Sequence, residues 1–252
     1  ETSRSRLQHA LDHFRPIVFV LGHKNPDTDA VISAISEAYR NHLVDGEAVT
    51  YVPVVQSARL PDEVTALVGE HLAAHIMLSE ERLYQRLTSS GRARWIMVDH
   101  NFAPDIQKFV ISIVDHHIPS LAATRQDIPK TIEIIGSTSA LITQRLYGLG
   151  CVPSKELAKI LYGATLMDTE NRSPYKMTTR DTLIMDELQR LSQVEDSPAF
   201  FHHLMGHLLN TDDAVSLFAR DYKEDWTYFG FAVAKVKHLF DQAGHVQKPA
   251  VL

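Results

Sequence analysis

Three apolar runs with β-strand character each deliver the chain directly into aspartate and histidine. Ile17-Val18-Phe19-Val20-Leu21 leads through Gly22 into His23-Lys24-Asn25-Pro26-Asp27-Thr28-Asp29. Trp95-Ile96-Met97-Val98 delivers Asp99-His100-Asn101, and Val110-Ile111-Ser112-Ile113-Val114 delivers Asp115-His116-His117. In open α/β sheets the carboxyl ends of strands are where sites form. One such residue alone reads as an ordinary turn former or helix cap. Three cases, one with consecutive histidines, exceed what capping accounts for. A fourth candidate is Asp168, which closes the apolar helical stretch Ile160-Leu161-Tyr162-Gly163-Ala164-Thr165-Leu166-Met167. The helix dipole disfavours negative charge at that end, and a nearby cation would remove the penalty.

The donor types narrow the cation. Oxygen and imidazole ligands without thiolates suit Mn²⁺, Co²⁺ or Mg²⁺ better than a structural tetrahedral Zn²⁺ site. The single cysteine, Cys151, reads as a small hydrophobe, excludes an intramolecular disulfide and fits a reducing compartment. With 252 residues and 44% hydrophobic content the chain can bury a sizeable core, in one large domain or two smaller ones. No apolar run approaches the roughly 20 residues of a membrane span. The charged start, Glu1-Thr2-Ser3-Arg4-Ser5-Arg6, is not followed by a signal-peptide core, so a cytoplasmic location is expected. A net charge of −6 argues against general nucleic-acid binding, which needs a basic footprint.

Periodicity predicts alternating elements: strands at 17–21, 49–55, 95–98 and 110–114, and helices at about 29–44, 62–75, 79–89, 138–148, 154–166 and 179–193. Such alternation predicts an α/β fold with a mostly parallel sheet covered by helices on both faces. The polar stretch from Ser192 to Pro198 reads as a connector. Beyond it the pattern predicts an apolar helix at about 199–209, a short helix at 212–220 and a strand-like run at 226–236. The expected domains are therefore 1–191 and a small α/β unit at 198–252.

Taken in order and spacing, Gly22 to Asp29, Val98 to Asn101, Val114 to His117, Gly136-Ser137-Thr138 and Met167-Asp168-Thr169 resemble the DHH phosphoesterase superfamily. The His-Lys-Asn-Pro-Asp-Thr-Asp form is most similar to its family II, manganese-dependent inorganic pyrophosphatases. The resemblance covers roughly residues 17–190, and Asp221-Tyr222-Lys223 matches a substrate-binding lysine of the family's second domain. It implies two Mn²⁺ ions per chain, with Co²⁺ or Mg²⁺ as alternatives. His23 and Asp27 would hold one ion, Asp29 and His116 the other, and Asp99 and Asp168 both. His117 would face the substrate phosphate, and Asp115 would orient an imidazole. The catalytic set is then Asp99, His117 and Asp168, with His117, Lys223, Lys24 and Arg172 as candidate phosphate contacts. A two-metal centre lowers the pKa of a water and polarises a phosphoryl oxygen. Bridging ligands must be carboxylates, because a neutral imidazole offers one lone pair to one metal.

Two departures stand out. The basic Ser-Arg-Lys-Lys segment that the resemblance implies is not found before the chain stops at Lys248-Pro249-Ala250-Val251-Leu252, so a shortened second domain is expected. Phe102 stands where the family pattern carries Glu after Asp-His-Asn. Gly136-Ser137-Thr138 could offer backbone N–H groups to a phosphate or serve as a plain helix cap. Lys24 either contacts phosphate or is exposed. His203 and His207 share a helix face, but the stretch lacks the Glu of a zinc-protease motif and reads as a packing helix; His71 and His75 read likewise. The expected activity is metal-dependent hydrolysis of a phosphoanhydride in a small substrate, with pyrophosphate first and polyphosphate or a nucleotide second. A regulatory homologue without useful turnover is the reading from another class, and a homodimer is an allowed state.

Overall fold

In the computed structural model, residues 2–78, 81–119, 127–209, 222–223 and 233–234 are described. Five parallel strands form one sheet: β1 (Ile17–Leu21), β2 (Thr50–Val54), β3 (Ala93–Val98), β4 (Val110–Asp115) and β5 (Lys130–Ile132). Their order is β2-β1-β3-β4-β5. The chain steps outward from β1 to β2, then crosses back to β3 and proceeds the other way. The sheet's topological switch therefore lies between the carboxyl ends of β1 and β3, where α/β sheets open a crevice.

Continuous apolar strands work here because both faces are covered. Val18 and Val20 of β1, with Ile96 and Val98 of β3, face a layer containing α2 (Thr28–Asp45), α3 (Asp62–Ala73), α5 (Thr138–Gly148), α6 (Lys155–Asp168), α7 (Thr179–Ser192) and α8 (Ser197–Leu209). Ile17, Phe19, Leu21, Trp95 and Met97 face the opposite layer, with Leu7 and Ala10 of α1 (Ser3–Asp12) and Tyr84 and Leu87 of α4 (Glu81–Ser89). Phe19, Tyr84 and Trp95 form an aromatic cluster there, with ring centroids 4.9–6.0 Å apart.

The β3–β4 register skips Ile111: Trp95 pairs with Val110 and Ile96 with Ser112. That extra residue reverses the alternation along β4, so Val110 and Ile113 share a layer despite their odd spacing.

Helix α6 is apolar nearly all round, with Ala158, Leu161, Tyr162, Ala164 and Leu166 fully buried, as expected of a helix enclosed by others. A Cβ at Gly163 would stand 2.7 Å from Leu67, which is how closely α3 lies against it. Phe201, Leu204 and Met205 place α8 in the same core, so the helix expected after the connector packs against residues that precede it. Its other face carries His203 and His207, ring centroids 4.9 Å apart, in keeping with the packing-helix reading.

Element types match the periodicity, with three differences. The 62–75 stretch is kinked at Gly69, whose φ is 67°. Helix α1 and strand β5 were not expected; β5 is three half-buried residues with little apolar signal. The expected 212–220 helix lies outside the described residues. Of the 226–236 run only β7 (Val233–Ala234) is described, paired antiparallel with β6 (Tyr222–Lys223). Lys223 is thus placed by its backbone alone. Among the described residues no helix is long and apolar enough to cross a membrane.

Candidate metal centre

The turn after β1 is tight. A Cβ on Gly22 would lie 2.8 Å from Ala30 Cβ and 2.9 Å from the Ala30 carbonyl oxygen, so only glycine lets the strand end run this close to the first turn of α2. Asp27 caps that helix by accepting from Ala30 N at 2.9 Å. The arrangement leaves His23 and the second carboxylate oxygen of Asp27 facing each other, Nε2 to Oδ2 3.5 Å.

Asp99, one residue past β3, completes a trio with them. Its backbone is left-handed, φ 62°, a conformation that aspartate tolerates and that clusters at functional sites. The residue is 2% exposed, and its two oxygens point to different histidines: Oδ2 lies 3.3 Å from His23 Nε2, and Oδ1 lies 3.4 Å from His116 Nε2. Asp168, the last residue of α6, puts Oδ2 3.3 Å from the same His116 nitrogen. Two ligand sets therefore meet at Asp99: His23, Asp27 and Asp99 on one side, Asp29, His116 and Asp168 on the other. A third grouping joins Asp99 to His116 and His117.

The ring orientations are set by their other nitrogens. His116 Nδ1 donates to the Ile135 carbonyl at 3.0 Å, which leaves Nε2 as the atom facing Asp99 and Asp168. His117 Nδ1 donates to Asp115 Oδ1 at 2.8 Å, and its side chain is 38% exposed. The imidazole oriented by Asp115 is thus that of His117, the residue expected to meet phosphate, whereas a backbone carbonyl holds His116. His100 Nδ1 donates to Val98 O at 2.9 Å.

The N-terminus of α5 separates the two readings left open for Gly136-Ser137-Thr138. Thr138 N and Ser139 N donate to the two oxygens of Asp29 at 2.7 and 2.9 Å, Ala140 N to the Ser137 cap, and Gly136 N to Asp181. The Gly136, Thr138 and Ser139 donors hold the protein's own carboxylates and the Ala140 donor the cap hydroxyl, which favours the helix-cap reading of Gly136-Ser137-Thr138 over a phosphate site. Thr138 Oγ1 also donates to Asp99 Oδ1 at 3.0 Å. Thr138 therefore ties Asp29 to Asp99, a role the sequence did not reveal.

Electrostatics follow from crowding four carboxylates. Burial alone would lower the histidine pKa values, but Asp27 and Asp99 outweigh it at His23 and push it up to about 10. Asp99, Asp168 and Asp29 do the same at His116, to about 11. Burial together with Asp99 and Asp168 raises Asp29 well above the carboxylate range. Although burial works the other way, His116 and His23 hold Asp99 well below that range. The cluster demands positive charge, and in its absence protons supply it. The side-chain nitrogen His23 Nε2 is buried and makes no hydrogen bond, while two carboxylate oxygens stand 3.3 and 3.5 Å away. Oxygen and imidazole groups converging this closely suit a divalent cation, and the set agrees with Mn²⁺, Co²⁺ or Mg²⁺.

Two expected phosphate contacts have these surroundings. Arg172 pairs with Asp186 and Gln189 of α7 and lies over the Tyr162 ring. Lys24 is exposed in the turn. Lys176, by contrast, donates to the Asp168 carbonyl at 3.0 Å and meets Glu170 at 3.3 Å, steadying the end of α6.

Comparison with known proteins gives the chain's family and fold relatives. The model of the DHH family, N-terminal domain, matches residues 17–165. A Streptococcus thermophilus protein that carries the name "Probable manganese-dependent inorganic pyrophosphatase" is 29% identical over 184 residues, 70% of this chain and 56% of that protein. One of the same name from Archaeoglobus fulgidus is 30% identical over 224 residues, 82% of this chain and 67% of that protein. A Bos taurus protein named exopolyphosphatase PRUNE1 is 27% identical over 202 residues, 72% of this chain and 43% of that protein. The chain thus spans about half the length of several relatives it matches. The solved structure of a Methanococcus jannaschii protein assigned to the family II inorganic pyrophosphatases shares the fold, with a TM-score of 0.66, 22% identity and coverage of 82% of this chain and 66% of that one. Three strand ends carrying the expected residues, the parallel sheet beneath them and the match across residues 17–165 lead to one conclusion: the chain belongs to the DHH family.

Proposed function

We propose that the protein is a metal-dependent phosphohydrolase that cleaves pyrophosphate into two phosphates, using two Mn²⁺ ions held by His23, Asp27, Asp29, Asp99, His116 and Asp168. The observation that carries the reading is the position of Asp99, whose two oxygens face His23 and His116 at 3.3 and 3.4 Å, the disposition a bridging carboxylate needs. Asp168, beside His116, is assigned as the second carboxylate shared between the ions. Co²⁺ or Mg²⁺ are the alternative cations. When bound, a two-cation centre supplies Lewis acidity and a water acidic enough to attack phosphorus near neutral pH.

The chain's own residues do the rest. Asp27 and Asp29 anchor the ligand sets to the starts of α2 and α5, so the cluster is built on rigid elements. His117 presents Nε2 outward from its bond to Asp115 and is placed to meet a phosphoryl oxygen. Lys24, in the exposed turn, and Lys223 of β6 are assigned to the substrate's phosphates. Residues 198–252 are assigned to a small second domain, of which α8 packs on the first. A small phosphate-bearing substrate, a cytoplasmic location and either a monomer or a homodimer belong to the same proposal. A net charge of −6 supports no general nucleic-acid binding.

Phe102, in place of the Glu of the pyrophosphatase pattern, and the relative named as an exopolyphosphatase favour a second reading: the same chemistry on short polyphosphate or a nucleotide. Phosphate release measured with Mn²⁺, Co²⁺ and Mg²⁺ against pyrophosphate, tripolyphosphate, long polyphosphate and nucleotides decides between them. Turnover highest on pyrophosphate is expected. Preference for a longer chain or a nucleotide establishes the second reading, and no release from any substrate removes both.

A further inference from the structure

Asn101, three residues past the end of β3 and two past Asp99, is 6% exposed and belongs to none of the ligand sets. We propose that it is a positioning residue for His117, acting through Asp115. The inference rests on the phosphohydrolase reading, in which His117 meets the substrate.

Asp115 is fully buried, so its carboxylate depends on protein donors for all of its stabilisation. Oδ1 accepts from His117 N at 3.1 Å and from His117 Nδ1 at 2.8 Å. Oδ2 accepts from Asn101 Nδ2 at 2.7 Å, and the same amide nitrogen reaches the Ile118 carbonyl at 3.3 Å. One NH₂ group therefore fixes the carboxylate that holds the ring and also the backbone just past the ring. The result is a single tautomer, with the proton on Nδ1 and Nε2 offered outward. Without Asn101 the carboxylate can rotate about its Cβ–Cγ bond and release Nδ1. His116 is an internal control, because its ring hangs on the Ile135 carbonyl and not on Asp115. A general structural role for Asn101 disturbs both rings, whereas a positioning role disturbs His117 alone.

The test uses the full chain labelled with ¹⁵N-histidine, with and without Mg²⁺, alongside pyrophosphate turnover. In Asn101→Ala the His117 ring signals should shift from one tautomer to an exchanging mixture while those of His116 stay in place. Turnover should fall about tenfold in kcat, with KM and metal stoichiometry unchanged. In a His117→Ala background, adding Asn101→Ala should cost less than about twofold more, since residues acting through one group are not additive. Asn101→Ser, which keeps a shorter donor, should give a partial loss and serves if the alanine variant does not fold. Unchanged His117 signals, equal disturbance of both rings, or full multiplication of the two losses overturns the proposal. If wild-type protein hydrolyses no phosphate substrate, the functional reading fails, and the ring signals still decide the role of Asn101.

Discussion

Thr138→Val removes one hydroxyl from the most densely bonded point of the centre. The side chain is fully buried, and valine keeps the β-branched shape and the backbone N–H that holds Asp29 at 2.7 Å. What disappears is the 3.0 Å bond from Oγ1 to Asp99 Oδ1. A hydrogen bond to a charged group contributes about 1.5–3 kcal/mol. Asp99 Oδ1 still has His116 Nε2 at 3.4 Å, so the loss should fall at the low end of that range. About 1.5 kcal/mol corresponds to roughly tenfold weaker cation binding, the scale seen when groups that orient metal ligands are removed. Titration calorimetry with Mn²⁺ or Co²⁺ measures it, and urea unfolding of the metal-free protein supplies a second reading of the same bond. Affinity and unfolding midpoint both matching wild type would refute the claim that Thr138 holds Asp99 in place.

Other consequences follow from the same geometry. Asp168→Asn should abolish phosphate release and at least one cation-binding event while leaving the fold intact; wild-type stoichiometry and activity would remove Asp168 from the centre. Because His23 and His116 hold protons up to about pH 10 and 11, cation binding at pH 8 should release about two protons, measurable by calorimetry in buffers of different ionisation enthalpy. The folded, metal-free chain binds more protons than the unfolded one between the ordinary histidine value of 6.5 and those raised values. That contribution to stability is complete below about pH 6.5 and is lost as pH rises through about 10 to 11, so the melting temperature of chelator-treated protein should fall across that window. Gly136→Ala would bring a Cβ to 2.7 Å from Thr169 Cγ2 and 2.9 Å from Asp181 Oδ1. It should cost about 1–3 kcal/mol in unfolding free energy, as overpacking does, and a neutral result would mean that the α5–α7 junction is looser than described.

The parallel sheet and the three strand-end motifs were legible because continuous apolar runs and their abrupt polar ends are local signals. Asp168 was legible for a different reason, as a carboxylate at the wrong end of an apolar helix. What escaped was nonlocal. Nothing near Thr138 announces that Asp29 will occupy the start of α5 from 109 positions away, so the sequence leaves a phosphate site and a plain helix cap equally open there. Arg172 is close in sequence to Asp168, but three successive left-handed residues, Glu170 to Arg172, follow the end of α6, and the guanidinium ends on Asp186 of α7. Strand β5 is too short and too exposed to carry a periodic pattern. Asn101 sat inside a recognised motif, yet only the buried Asp115 beside it gives its amide a task.

Electron paramagnetic resonance of the protein titrated with Mn²⁺ reads the Asp99 bridge itself, since ions sharing a carboxylate couple magnetically. Binding of about two Mn²⁺ per chain with an exchange-coupled spectrum, lost in Asp99→Ala, is the predicted result. One ion per chain, or two that remain magnetically independent, would contradict a centre bridged by Asp99.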